Sequence, residues 1–199
     1  MAEFLTPEQY LEIERNAKVK SEYYQGRMWP LGEPPAETGT QEAHNLVVWN
    51  VAAELRQQLR QRPCRAYLAD MRVRVDVSGL CVCPDVAAVC GEPKFLDGNR
   101  DTLLNPSLIV EVLSPSTGLY DHVGKFELYR SVESINEYLL VSSVRVSAEL
   151  YSRQSDNRWL LTTADRMENS LDLQSVGARL ALADLYEKVD LTAPPTPAV

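Results

Sequence analysis

The sequence predicts a single α/β domain with a mixed central sheet flanked by helices, on three observations. Apolar residues recur at helical spacing near the N-terminus and again between about residues 41 and 61. Beyond Pro63 the apolar residues alternate with polar ones, as in strands with one buried face. Shorter strand-like runs then alternate with a further helix. We expect one domain over residues 1–191 and a disordered, Pro-rich tail over 192–199.

Two helices are predicted before the long strands. The first begins with Thr6 as N-cap and Pro7 at the first helical position, and it should end near Ala17. A strand with a Gly turn (21–28) and a loop (29–40) separate it from the second helix. The face of the first helix expected to point inward carries Tyr10, Leu11 and Ile13. The apolar stripe of the second helix consists of Leu46, Val47, Trp49, Asn50, Ala53, Leu55 and Leu59.

The remaining pattern predicts mainly strands. Residues 67–77 and 80–90 form a hairpin around the turn at Ser78-Gly79. The apolar run 107–113 predicts a buried central strand, since Ser-Pro-Ser-Thr breaks it directly afterwards. The later elements are a helix over 120–130, strands over 138–141, 147–153, 159–163 and 177–182, and a helical turn over 184–187.

The charge balance is acidic, with net charge −8 and a pI near 4.9. This balance argues against a protein that coats nucleic acid without specificity, because phosphate contacts supply most of that affinity. The arginines nevertheless cluster between Glu54 and Arg74, where six of them face only Glu54 and Asp70. The cluster comprises Arg56, Arg60, Arg62, Arg65, Arg72 and Arg74. It is either a solvated helix face or a surface that contacts DNA.

The sequence lacks a secretory signal pattern and a long apolar run, so we predict a cytoplasmic protein that does not enter a membrane. The four cysteines (Cys64, Cys81, Cys83 and Cys90) are too few for a disulfide scaffold. We expect them to be small buried residues in a reducing compartment. The C-x-C spacing of Cys81 and Cys83 leaves a metal-thiolate role open as an alternative.

Two carboxylates stand in strands that should be buried. Pro84-Asp85 interrupts the second strand of the hairpin, where a proline cannot donate to the ladder and an unpaired aspartate is costly. Asp85 therefore either faces a compensating cation or lies where the strand turns outward. Glu111 lies among five aliphatic residues of the central strand, so it is either a structural ion-pair partner or a functional acid.

The helix after the central strand adds a lysine to this pattern. Asp121 and Lys125 are four residues apart, a spacing that by itself is an ordinary helix ion pair. Two carboxylates on neighbouring strands and a lysine from the next helix together suit Mg²⁺ or Mn²⁺ and a phosphate substrate. The lysine can orient the attacking water and offset charge that develops on phosphorus. The combination predicts metal-dependent hydrolysis of phosphodiesters.

These motifs resemble one known family. PD, then VEVLSPST about 25 residues later, then D-x-x-x-K-x-x-x-Y and an EY-LLV strand resemble the Uma2 family of restriction endonucleases, within the PD-(D/E)XK nuclease superfamily. The resemblance runs from SEYYQGRM near the N-terminus to LALADLYE near the C-terminus. It implies a restriction-endonuclease-like domain that cuts DNA with Mg²⁺ or Mn²⁺.

The resemblance also implies roles for individual residues. Asp85 and Glu111 would be metal-binding catalytic acids and Lys125 the catalytic lysine. Glu22 would be an accessory partner of the metal or the lysine. His44 would be a further pocket residue, with a capping or packing role as the alternative, and Asp121 would orient the loop or the lysine. Apart from the resemblance, the arginine cluster itself predicts where DNA would be contacted, through Arg56, Arg60, Arg62, Arg72 and Arg74.

The chain departs from the superfamily at one position, because Leu113 stands where the E-x-K pattern would place its lysine. The family transfers that role to the following helix, so Lys125 is the expected substitute. The sequence therefore leaves two functions open. One is a metal-dependent DNA endonuclease, expected to act as a homodimer because cutting both strands needs two active sites. The other is a catalytically inactive relative that serves as a binding or regulatory module.

Overall fold

The computed structural model describes residues 4–24, 26–30, 40–75, 80–114 and 124–192. Its helices are α1 (Pro7–Asn16), α2 (Thr40–Leu59), α3 (Phe126–Tyr129) and α4 (Leu182–Leu185). Its strands are β1 (Ser21–Tyr24), β2 (Arg27–Pro30), β3 (Cys64–Leu68), β4 (Arg72–Val75), β5 (Leu80–Val82), β6 (Val86–Cys90), β7 (Thr102–Leu103), β8 (Leu108–Leu113), β9 (Glu137–Ser142), β10 (Ala148–Arg153), β11 (Trp159–Ala164), β12 (Ser170–Leu173) and β13 (Ala178–Ala181).

The strands form a mixed six-stranded sheet, a five-stranded sheet and a hairpin. The six-stranded sheet has the order β11-β10-β9-β8-β6-β3, with β8 and β9 parallel and its other pairs antiparallel. The five-stranded sheet has the order β2-β1-β5-β4-β7, and β12 pairs with β13. The predicted α/β class with a mixed sheet flanked by helices is confirmed.

The six-stranded sheet is buried on both faces at its centre. Leu108, Val110 and Val112 of β8 pack in the same apolar cluster as α2. Ile109, which points to the opposite face, packs with Tyr129 and the strands of the five-stranded sheet. Glu111 has the same strand parity as Ile109, so its carboxylate enters the space between the two sheets.

The two segments of the predicted hairpin over 67–90 do pair antiparallel with each other, but they do not form one continuous ladder. Each long strand breaks, and the inner halves β4 and β5 pair in the five-stranded sheet while the outer halves β3 and β6 pair in the six-stranded sheet. The second break includes Pro84, which cannot donate to a ladder. The predicted turn at Ser78-Gly79 lies outside the described residues.

The buried face of α2 also differs from the prediction. Val47, Val51, Leu55 and Leu59 recur every four residues and are buried, so they form the inward stripe. Trp49 is 67% exposed, and Ala53 is exposed on the same outer side. The apolar pattern extends around much of this helix, which is why spacing alone assigned Trp49 to the core.

The cysteines were predicted to be separate buried thiols, which is wrong for two of them. Cys64 and Cys90 face each other across β3 and β6 and form a disulfide. Cys81 and Cys83 are not part of a disulfide, and burial raises the pKa of the Cys83 thiol to about 12, so it stays protonated at neutral pH. Opposite positions on antiparallel strands hold Cβ atoms close enough for a bridge.

Most other predicted elements are confirmed. Thr6 caps α1 through a capping box with Gln9, and Tyr10 and Leu11 are buried, although Ile13 is 44% exposed. The hairpin partner β12 was not predicted. Of the helix expected over 120–130, residues 120–123 lie outside the described residues, as do residues 193–199 of the expected tail. No helix in the described part of the chain is long and apolar enough to cross a membrane.

Candidate active site

Glu111 lies near the C-terminal end of the central strand β8 and is only 4% exposed. Its Oε1 accepts hydrogen bonds from Lys125 Nζ and from the Tyr129 hydroxyl, both at 3.1 Å. A carboxylate at this depth would be costly without donors, because burial strongly disfavours an uncompensated charge. The two donors therefore explain how an acid persists in an otherwise aliphatic strand.

Lys125 connects two carboxylates from different sheets. Its Nζ lies 3.1 Å from Glu111 Oε1 and 3.4 Å from Glu22 Oε1, and the lysine itself is 7% exposed. Glu22 lies on β1 of the five-stranded sheet and is 2% exposed. The lysine comes directly before α3, in the crossover between the parallel strands β8 and β9. The structure thus brings these three sequence-predicted residues together.

Tyr129 is a site residue that the sequence analysis did not identify. It is four residues after Lys125, so one helical turn places both side chains on the same side, facing Glu111. Burial raises the pKa of its hydroxyl well above the usual value, and the neighbouring Glu111 carboxyl raises it further. Tyr129 therefore stays protonated and donates to Glu111. The final position of D-x-x-x-K-x-x-x-Y was the available signal.

Asp85 lies just before β6, the strand next to β8. Its Oδ2 accepts a 2.7 Å hydrogen bond from the Val112 backbone N–H and lies 3.5 Å from Nε2 of His44 on α2. Because Val112 directly follows Glu111, this hydrogen bond holds the Asp85 carboxylate close to the strand position of Glu111. Asp85 and His44 are both partly exposed, so this end of the site opens to solvent.

The remaining predicted residues have different positions. Asp121 lies outside the described residues. Arg72 is buried and donates to Asp101 Oδ2 at 2.5 Å, so the prediction that it contacts DNA conflicts with its internal ion pair. Arg74 follows on the same strand and is half-buried. By contrast, Arg56, Arg60 and Arg62 are exposed.

The donor chemistry of the site suits a hard divalent cation. Asp85 and Glu111 offer carboxylate oxygens from neighbouring strands, and Mg²⁺ is commonly held by one or two carboxylates together with water and substrate phosphate. Within the described residues, no three His, Cys, Asp or Glu side chains converge into a complete ligand set. The fit is therefore to an open site with two carboxylates, Asp85 and Glu111; Glu22 contacts Lys125, and its role as a further metal ligand stays a prediction.

Residues 7–183 match the Uma2 family, described as "Putative restriction endonuclease". The chain is a member of the Uma2 family. Two similar proteins come from Synechocystis sp. (strain ATCC 27184 / PCC 6803 / Kazusa). Uncharacterized protein sll1609 is 35% identical over 158 residues, covering 79% of this chain and 86% of that protein. Uncharacterized protein slr1290 is 31% identical over 182 residues, covering 92% and 91%.

A solved structure shares the fold of this Uma2 protein. It is a crystal structure from Anabaena variabilis ATCC 29413, described as "a putative nuclease belonging to DUF820". The two structures superpose with a TM-score of 0.69 at 16% identity, over 92% of this chain and 98% of the other. At that identity the likeness establishes the nuclease-like fold.

Proposed function

We propose that this Uma2 protein is a divalent-metal-dependent endonuclease of the PD-(D/E)XK superfamily that hydrolyses phosphodiester bonds in DNA. The observation that carries the proposal is the contact between the Lys125 ammonium and buried Glu111, beside the strand end that holds Asp85. Buried ionisable groups that converge from several elements are typical of catalytic sites. Membership of the Uma2 family and the nuclease-like fold support the same activity.

Each residue has a defined task in this mechanism. Asp85 and Glu111 would hold Mg²⁺ or Mn²⁺, which supplies positive charge to the phosphate oxygens when bound. Lys125 donates to the oxygen that gains negative charge as water attacks phosphorus and the bond to the sugar oxygen breaks. Glu22 holds the ammonium from the other sheet, while Tyr129 orients the Glu111 carboxylate. His44 faces Asp85 at the solvent-exposed end.

The direct test is nicking of supercoiled plasmid by purified protein with Mg²⁺ or Mn²⁺. Glu111→Gln and Lys125→Met each remove one charged group from the contact at the centre of the site. Glu168→Gln is the matched control, because Glu168 is exposed on the turn before β12. We expect nicking by the wild type and the control and loss in both site variants. Nicking by Glu111→Gln at the wild-type rate would contradict the assignment.

A second candidate function is a catalytically inactive binding module. It is favoured by the position of Lys125, whose ammonium is held between Glu22 and Glu111 and so already gives Glu111 a cationic partner within the chain. Calorimetric titration with Mn²⁺ separates the two functions. Binding that is lost in Glu111→Gln supports the nuclease, whereas absence of binding by the folded wild type supports the module.

Homodimerisation is part of the nuclease proposal, since a duplex break requires cuts in two strands. Sedimentation equilibrium with and without duplex DNA measures the oligomeric state. A monomer that nicks but never linearises plasmid would restrict the activity to one strand.

A further inference from the structure

A groove of about 1280 Å³ runs between the outer side of α2 and the edge strand β3. This volume exceeds the roughly 300–1,000 Å³ of clefts that hold drug-sized ligands. Its helix wall contains Trp49, Arg56 and Arg60, which lie along one helix face, while Ala52 and Ala53 keep that wall low between them. The groove is therefore open and large enough for an extended ligand.

The charge of the groove is opposite to that of the whole protein. Four arginines line it (Arg56, Arg60, Arg62 and Arg65) and its lining includes no acidic residue, although the chain has net charge −8. Four like charges facing each other across a symmetric contact would repel, which disfavours a second copy of this chain as the occupant. A polyanion is the complementary ligand, because arginine pairs with phosphate through two parallel hydrogen bonds.

The groove also presents an unpartnered aromatic ring. Trp49 is 67% exposed, and no ring or cation contact to it occurs among the described residues. Exposed aromatic rings beside basic residues are the platforms on which proteins stack the bases of single strands. A base within a duplex is stacked on its neighbours, so this ring favours unpaired nucleotides.

One end of the groove lies near the strand end that holds Asp85. Val86 and Leu68 pair across β6 and β3 and both line the groove, and Asp85 directly precedes Val86. On the helix side, Trp49 lies little more than one turn beyond His44, whose ring faces Asp85. Trp49 and His44 are about 140° apart around the helix, and neither His44 nor Asp85 lines the groove, so a strand lying in it would leave beside Val86 before it reached the carboxylates.

We infer that the groove between α2 and β3 binds single-stranded DNA, with Trp49 stacking on an unpaired base and the arginines contacting the backbone. This inference deepens the proposed function, since it names the form of DNA presented to the site. Because binding to the groove requires no metal ion, it is measured separately from cleavage.

The experiment is fluorescence anisotropy of labelled oligo(dT) titrated with the full chain in EDTA, beside a duplex and an oligo(rU) of equal length. We expect single-stranded DNA to bind at least about tenfold more tightly than the duplex. Trp49→Leu removes the stacking ring and keeps an apolar side chain, so it should weaken single-strand binding roughly 5- to 150-fold. Its duplex affinity should not change.

Arginine variants test the backbone contacts. Replacing Arg56, Arg60 and Arg65 by Gln should reduce the salt dependence of binding by about 2 in log–log slope. Arg62 stays in place because its guanidinium packs against Gly177, whose φ of +66° and lack of a Cβ make room for it. The matched control replaces exposed Arg158 and Arg166, which lie outside the groove.

Each contrary outcome has one meaning. Equal affinity for the duplex, or wild-type affinity of Trp49→Leu, would overturn the stacking role. Tighter binding of oligo(rU) would assign the groove to RNA. Absence of binding to all three oligonucleotides would overturn the inference, whether or not the protein nicks plasmid. Binding in EDTA without any nicking would retain the groove and contradict the proposed nuclease.

Discussion

Replacing Lys125 by Met tests the central charge arrangement through stability alone. At 3.1 and 3.4 Å, each carboxylate contact supplies about 5 kcal/mol of Coulomb attraction at an effective dielectric constant of about 20. Desolvation of three buried groups offsets most of this attraction. Removal of the cation alone takes away the buried ammonium that both carboxylates contact, so we expect the free energy of unfolding to fall by about 3–5 kcal/mol. Methionine retains most of the apolar stem.

The assay is urea unfolding of a double-mutant cycle. Glu111→Gln in the Lys125→Met background removes one of the two carboxylate charges that Lys125 contacts in the wild type. The double variant should therefore be at least about 1 kcal/mol more stable than Lys125→Met alone. Lys20→Met is the matched control, because Lys20 pairs with Asp70 at an exposed position and should cost less than about 1 kcal/mol. The reasoning is refuted if Lys125→Met costs no more than Lys20→Met, or if the double variant is simply additive.

Three further predictions concern stability. Tyr129→Phe removes a buried hydroxyl donor and should lower the free energy of unfolding by about 1 kcal/mol in urea. The Arg15 guanidinium lowers the pKa of Asp101 to about 2, so this carboxylate stabilises the fold above pH 4 and loses its contribution as the pH falls toward 2. Asp101→Asn should cost about 1 kcal/mol at pH 7, and its difference from wild type should shrink on acidification. Reduction of the Cys64–Cys90 disulfide should cost about 3 kcal/mol, measured by urea unfolding with and without reductant.

Each of these predictions has a contrary result. Unchanged stability of Tyr129→Phe would mean that the hydrogen bond from the Tyr129 hydroxyl to Glu111 does not stabilise the fold. A deficit of Asp101→Asn that persists at pH 2 would assign its effect to packing. Equal stability of the protein with and without reductant would exclude a stabilising disulfide. Cys81→Ser is the control, because Cys81 forms no disulfide and the variant should respond to reductant as the wild type does.

The sequence predicted the fold class and several members of the site because those features are local. Glu111 stood out as a charge within an aliphatic strand, and the Pro84-Asp85 interruption coincides with the break before β6. The structure brings Glu111, Lys125 and Glu22 into contact, and places Asp85 next to the strand of Glu111. Their catalytic roles stay predictions.

The features that were missed depend on contacts between distant segments. Periodicity could not reveal that β3 and β4 belong to different sheets, because both carry the same alternation. In the sequence Arg72 cannot be distinguished from the exposed arginines near it, because its partner Asp101 lies in a later loop. The outward position of Trp49 was hidden because apolar residues occupy more than one side of α2.

The crossover between β8 and β9 has a consequence for how the protein could lose its function. Parallel neighbours cannot be joined by a tight turn, so the chain must leave the sheet and return. Lys125 and Tyr129 both lie in this connecting segment, whereas Glu111 lies in the sheet. Local opening of one short segment would remove both donors from Glu111 with the two sheets still folded. The proposed activity would then be lost on heating before global unfolding, and amide hydrogen exchange in residues 124–130 would be faster than in β8.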